Sequence, residues 1–146
     1  MLKENPDHLD ADLIIKLYDL RREATMRESR RLILKEYWPR TAEDALAVLR
    51  NEHPLNTAWR QTVGYWEMVY GMGRHGIING DFLVENNGEG LVLFSRAEPH
   101  LPALRSAGNP RTMANAEWVA THTEVGRQTA TRFRAMVAAK LKAEAK

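Results

Sequence analysis

The sequence predicts an all-α protein: an irregular bundle of six or seven helices, two of them long, with no sheet. Three observations carry this. No segment alternates apolar and polar residues with the β-branched enrichment of a strand. Apolar residues instead recur three and four apart, in stretches bounded by proline, glycine and N-capping residues. The clearest stretch places Trp59, Val63, Trp66, Tyr70 and Gly73 at i, i+4, i+7, i+11 and i+14, which stacks them on one side of a helix. With 146 residues and 16.7 kDa, the chain is expected to form one domain with a sizeable core.

Taken in order, residues 1–9 read as a loose polar lead-in, and Asp7 or Asp10 offers the first N-cap. From Asp10 to Trp38 nothing breaks a helix until Pro39, and Leu13, Leu17, Leu20 and Ala24 begin its apolar seam. Glu23 and Arg27 form an i, i+4 pair in the favourable order, with Arg27, Arg30 and Arg31 expected on the exposed side. Such a helix would run about 43 Å, beyond the roughly 38 Å diameter of a globule of this length. Its later part, Leu32, Ile33, Leu34, Tyr37 and Trp38, spreads apolar residues too widely for one buried stripe. The preferred expectation is a homodimer that covers this surface. The alternative is a kink near Arg27–Arg30, with the second half covered by the next helix.

Thr41-Ala42-Glu43-Asp44 opens that next helix with Asp in place of the usual Glu or Gln of a capping box. It should end near Asn51, with Leu46 and Leu49 inward. The central helix follows, with Asn56 as N-cap and Gly76 as the left-handed residue that closes it. Gly64 and Gly71 each cost it about 1 kcal/mol of helix propensity, so another helix is expected to approach closely at both. Tyr65, Met68 and Met72 add a second apolar face, which places this helix centrally.

Ile77 and Ile78 are expected to pack back on it, and Asn79-Gly80-Asp81 to cap a short helix over 81–86. Asn87-Gly88 reads as a break before a piece containing Leu91 and Phe94, and Pro99 as a kink. Residues 106–110 are the clearest loop. Asn109-Pro110 places an N-cap before an N1 proline, so a helix from about Pro110 through Val119 is expected, stopping near Thr123 or continuing through Gly126. The last helix turns Val125, Thr129, Phe133, Val137 and Leu141 inward and frays over 143–146.

The absence of cysteine excludes disulfides, zinc–thiolate sites and thiol nucleophiles. None of His8, His53, His75, His100 and His122 forms an i, i+4 pair with another, so no metal is expected, and no cofactor. The N-terminus lacks the layout of a signal peptide and no apolar run approaches a membrane span, which reads as a cytoplasmic protein without a membrane partner. Twenty-one basic and 19 acidic residues are interspersed, giving a net charge of +2 that points to no class of partner. Locally, residues 125–146 carry six basic residues against Glu144, or +5, and residues 79–98 carry Arg96 against four acidic residues, or −3. Solvated faces explain this more simply than partners or neighbouring helices. Nucleic acid is not expected, because Trp59, Trp66 and Trp118 lie on apolar stripes and no helix–turn–helix signature is present.

Three residues are candidates for chemistry: Glu67, Arg74 and His75, which can meet near the end of the central helix. Glu67 lies one residue off the main stripe, where a partly buried carboxylate with a raised pKa would suit a general base. An ion pair with Arg60 or Arg74 is the preferred reading. His75 precedes Gly76, where capping of the last carbonyls is preferred over catalysis.

The run Tyr65-Trp66-Glu67-Met68, then Gly76-Ile77-Ile78-Asn79-Gly80-Asp81-Phe82, with the later Glu89 and Arg105, resembles a group of small uncharacterised bacterial all-helical proteins over the middle third of the chain. The resemblance implies the helical fold and supplies no active site. Two functional readings follow. One is an interaction or scaffold protein that self-associates or binds another protein through its long helices. The other is a small-ligand-binding or hydrolytic enzyme with a pocket near Glu67, Arg74 and His75. An exposed apolar stripe on the first helix favours the former, and a pocket with converging polar groups the latter.

Overall fold

The computed structural model describes residues 2–145, in which nine α-helices and one 3-10 turn follow one another without a strand. The bundle is all-α, with α4 (Asn56–Arg74) and α9 (Glu124–Glu144) as its long helices. α4 packs against α2 (Ala24–Glu36), α5 (Gly80–Asn86) and α8 (Ala114–His122). α9 packs against α5, α6 (Gly90–Ala97) and α8, while α3 (Ala42–Ala47) packs against α7 (Leu101–Ala107). Trp59, Trp66, Tyr70 and Gly73 of the predicted stripe are buried and Val63 is half-buried.

The single long first helix is not formed. α1 (His8–Arg21) stops at Arg22, and α2 begins after Glu23, whose carboxylate accepts the Thr25 and Met26 N–H groups at 3.0 Å each. Glu23 is therefore an N-cap rather than the i, i+4 partner of Arg27, and the break falls upstream of the alternative kink site at Arg27–Arg30. Arg30 is not on the solvent side either: it pairs with Glu89 at 2.6 and 2.8 Å and donates to the Arg21 carbonyl at 3.1 Å, closing the end of α1. The surface over Leu32–Trp38 is covered within the chain. Ile33 and Tyr37 are buried, and the Tyr37 and Trp59 rings lie 5.0 Å apart. Neither the length of the helix nor this surface now argues for a dimer.

The lead-in is tied down. Lys3 Nζ lies 2.6 Å from Oδ1 of the fully buried Asp10, and the Lys3 and Glu4 carbonyls accept from Asn79 Nδ2. Asp7 is the N-cap of α1. Met1 and Lys146, at the ends of the two segments expected to be loose, lie outside the described residues. Glu144 continues α9 and pairs with Arg40 at 2.7 Å.

α3 starts as expected, with Thr41 Oγ1 accepting from the Asp44 N–H, but Asp44 reaches back to the Arg40 N–H rather than to Thr41, and the helix ends at Ala47. Ala45 and Val48 are buried, and Leu46 and Leu49 only partly. Asn56 does not cap α4; it is the first helical residue, and its amide donates to the Val48 carbonyl at the end of α3. Gly76, at φ 73°, does close α4: the Ile77 N–H reaches the Met72 carbonyl and the Gly76 N–H the Gly73 carbonyl, a Schellman arrangement. On the second face Tyr65 is buried but Met68 is 44 % exposed.

Asn79 caps α5, Asn87 ends it, and Pro99 lies in the 3-10 turn Glu98–His100 that joins α6 to α7. The residues from Asn109 form a turn rather than a helix start: Asn109 Oδ1 accepts from the Arg111 N–H, and α8 begins only at Ala114. α8 then stops at Thr123, which caps α9 through the Gly126 N–H, so residues 114–144 form two helices. Part of the local charge asymmetry joins neighbouring helices, since Arg134 of α9 holds Glu98 at 2.6 and 2.7 Å.

The glycines differ in what surrounds them. A Cβ on Gly126 would lie 2.1 Å from the Val119 carbonyl oxygen, and one on Gly71 would lie 2.9 Å from Asn115 Nδ2, whereas one on Gly64 would meet nothing within 4 Å. Close approach explains Gly71 but not Gly64. Gly64→Ala should therefore raise the stability of the isolated chain by about 0.5–1 kcal/mol in urea denaturation, and Gly126→Ala should lower it by about 1–3 kcal/mol. The reverse order contradicts this packing.

Candidate functional site

The candidate residues are organised by the start of α8. The first amides of a helix have no partner within it, and the residue at the N-cap, Met113, has no side-chain acceptor to offer. Met113 is buried and left-handed, at φ 55° and ψ 25°, a conformation that costs a residue with a Cβ about 1–2 kcal/mol. The missing acceptor comes from α4. Glu67 Oε1 accepts the Asn115 N–H and Oε2 the Ala116 N–H, each at 2.9 Å, the second and third amides of α8.

Asn115 locks into the same face of α4. Its amide donates to the Glu67 carbonyl at 3.0 Å and accepts from Arg74 Nη1 at 3.2 Å. Glu67, Gly71 and Arg74 stand at i, i+4 and i+7, so the glycine between the two polar partners leaves room for the Asn115 side chain. Glu67 and Arg74 thus meet through Asn115 rather than in an ion pair, and neither Arg60 nor Arg74 pairs with Glu67 among the described residues. His75 stands apart: it is exposed at the C-cap of α4, and its ring makes no hydrogen bond among the described residues, so it caps no carbonyl.

Burial raises the pKa of the Glu67 carboxyl, opposed by the Asn115 and Ala116 N–H groups and by the Arg105 and Arg111 charges. A raised pKa is what a general base needs, but both oxygens already accept main-chain amides. Among the described residues no group of three or more His, Asp or Glu side chains is placed to hold a metal ion.

Glu67 also borders open space. A groove of about 600 Å³ lies between α4, at Trp59 and Val63, and the turn bearing Arg111 and Met113. A second cleft of about 640 Å³ lies between α4 and the corner where α1 meets α2, walled by Leu20, Met26 and Tyr65. Both are lined by Arg60 and Gly64, so they meet across the outer side of α4. The sequence carried a hint of Glu67 as an off-stripe acid. It carried none of Asn115, Met113 or Arg111, because their roles depend on a contact 48 residues away.

Glu67→Ala should cost about 2 kcal/mol through loss of the cap and two stranded amides, and Glu67→Gln about half that, since its amide oxygen accepts one of the two N–H groups while its NH2 faces the other. With the folded-state pKa raised, the neutral carboxyl stabilises the fold fully below the unfolded-state value, and this contribution fades as pH rises through the folded value. The stability of the wild type relative to Glu67→Gln should therefore fall across that window in denaturation experiments at stepped pH. A rise over the same window contradicts the burial argument.

Comparisons with curated proteins and with solved structures find no match. A family model described as Domain of unknown function (DUF4760) matches residues 6–123, from the lead-in through the last residue before α9, well beyond the middle third of the resemblance. With most of its length matched, the chain belongs to the DUF4760 family.

Proposed function

We propose that this chain is an all-helical interaction protein that self-associates through the outer side of α1. The observation that supports this is exposure: Leu9 is 59 %, Ile15 67 %, Tyr18 50 % and Leu20 54 % exposed, four large apolar side chains on one fourteen-residue helix. The opposite side of α1 is already buried through Asp10, Ile14 and Leu17. Ile15 and Tyr18 lie to one side of the outward line of α1 and Leu9 and Leu20 to the other, with Asp12 and Asp19 between them, so the helix carries two exposed apolar edges that a second protein can cover. No helix among the described residues is long and apolar enough to cross a membrane, so a bilayer span does not account for this surface. Two-fold self-association is the simplest way to cover it, because it needs no other partner.

The hydrolytic reading of Glu67, Arg74 and His75 has less support. Its carboxylate serves as a helix cap, its arginine holds Asn115, and its histidine lies outside the arrangement.

Light scattering at micromolar concentration tests the proposal. The expected mass is twice 16.7 kDa, returning to the monomer value in an Ile15→Arg, Tyr18→Arg variant that stays folded. A mass of 16.7 kDa at every concentration contradicts it. Ile33→Arg is not a test of the interface, because Ile33 is fully buried within the chain and its replacement should unfold it.

A further inference from the structure

Resting on the self-association proposed above, we infer that the groove crossing α4 at Gly64 receives α1 of a second copy, with Ile15 and Tyr18 over the glycine and Asp19 toward Arg60 and Arg111. The floor of the groove is the outer stripe of α4. Thr57, Gln61, Gly64 and Met68 stand at i, i+4, i+7 and i+11 and all line the cleft beside the α1–α2 corner. Ala11, Ile15 and Tyr18 of α1 and Arg22 at its C-cap have the same spacing, with the large apolar side chains at the two middle positions. Each stripe spans about 16 Å, so the ridge on one helix matches the floor on the other in length. A small residue at the middle of the floor lets a second helix come close.

Gly64 is the glycine of α4 that the chain itself leaves unexplained. Cβ atoms on Gly71 and Gly73 would press on Asn115 and Leu83, at 2.9 and 3.0 Å, whereas Gly64 faces open space. Its cost in helix propensity is offset by nothing within the monomer. An incoming helix supplies the missing reason.

Charge selects α1 as the occupant. Arg60 and Arg111 are exposed, line the groove, and have no ion-pair partner among the described residues. Asp19, next to Tyr18 on α1, is likewise exposed and unpaired, and Asp12, seven residues earlier on the same edge, is held only by a solvent-exposed pair with Lys16. The unpaired Asp19 and the two unpaired guanidiniums are complementary, while the acids that also line the groove, Glu23 and Glu67, are engaged by main-chain amides as helix caps. The two surfaces are also continuous, since Leu20 of α1 forms part of the wall of the cleft. A two-fold exchange would use each protomer's helix and groove at once, doubling the area buried by a single seating.

A charge-swap cycle on the full chain, followed by concentration-dependent light scattering, tests the inference. Asp19→Arg and Arg60→Glu should each raise the dissociation midpoint about tenfold or more, and the double variant should recover most of the loss. Gly64→Trp, which fills the groove where the monomer has open space, should be monomeric with an unchanged far-UV circular dichroism spectrum. If Ile15→Arg dissociates the dimer while Gly64→Trp and the charge reversals do not, α1 self-associates elsewhere and the groove assignment is wrong. A wild type that is monomeric throughout removes both this inference and the reading beneath it.

Discussion

Short helices have a disproportionate number of ends, and every end leaves backbone groups that must be satisfied. Five of the nine helices here, α3, α5, α6, α7 and α8, are six to nine residues long, so a large share of the backbone lies near a terminus. The fold depends on where those groups find partners. Some caps are local, from Asp7, Glu23, Thr41, Asn79 and Thr123. Others come from distant elements: Glu67 to α8, and Asp81 to the Val125 N–H of α9 at 2.9 Å. The C-terminal ends show the converse. Arg30 donates to the last carbonyl of α1, Arg96 to the Leu34 and Tyr37 carbonyls at the end of α2, Arg127 to Thr121 near the end of α8, and Arg40 to Leu141 of α9.

Acids at helix starts and guanidiniums at helix ends follow the sign of the helix dipole, and charge-assisted bonds are the stronger kind. This accounts for much of the interspersed charge that looked uninformative in composition. Arg96 is the extreme case. It is buried over the Trp38 ring, 3.5 Å from its centroid, and burial without a carboxylate lowers its pKa to about 10. Three carbonyls within 3.5 Å stabilise the cation there. The same logic recasts the candidate site, because a carboxylate needed to start α8 is not free to abstract a proton. The self-association proposed above rests instead on surface, the outer side of α1 and the groove along α4.

Features governed by local chemistry were legible in the sequence. The α4 stripe, the left-handed Gly76, the Asn79 cap, the break at Asn87 and the turn at Pro99 all rest on residues within a few positions of one another. The break at Arg22–Glu23 was not legible, because glutamate is an uncommon N-cap and neither glycine nor proline marks the spot. Nor was the late start of α8, where Asn109-Pro110 supplies an apparent helix start but Met113 turns left-handed first. The partner of Glu67 was out of reach for a different reason. A carboxylate near arginines suggests an ion pair, and only the packing of α8 on α4 brings two free amides closer.

Amide hydrogen exchange at the helix starts tests most directly whether distant side chains hold these ends. The Asn115, Ala116 and Val125 amides should exchange far more slowly than those of Leu9 and Thr25, which are capped within exposed first turns by Asp7 and Glu23. In Glu67→Ala, protection should fall at Asn115 and Ala116 and persist at Val125, whose acceptor is Asp81. Exchange of the Asn115 and Ala116 amides in the wild type as fast as that of Leu9 and Thr25 would contradict the account.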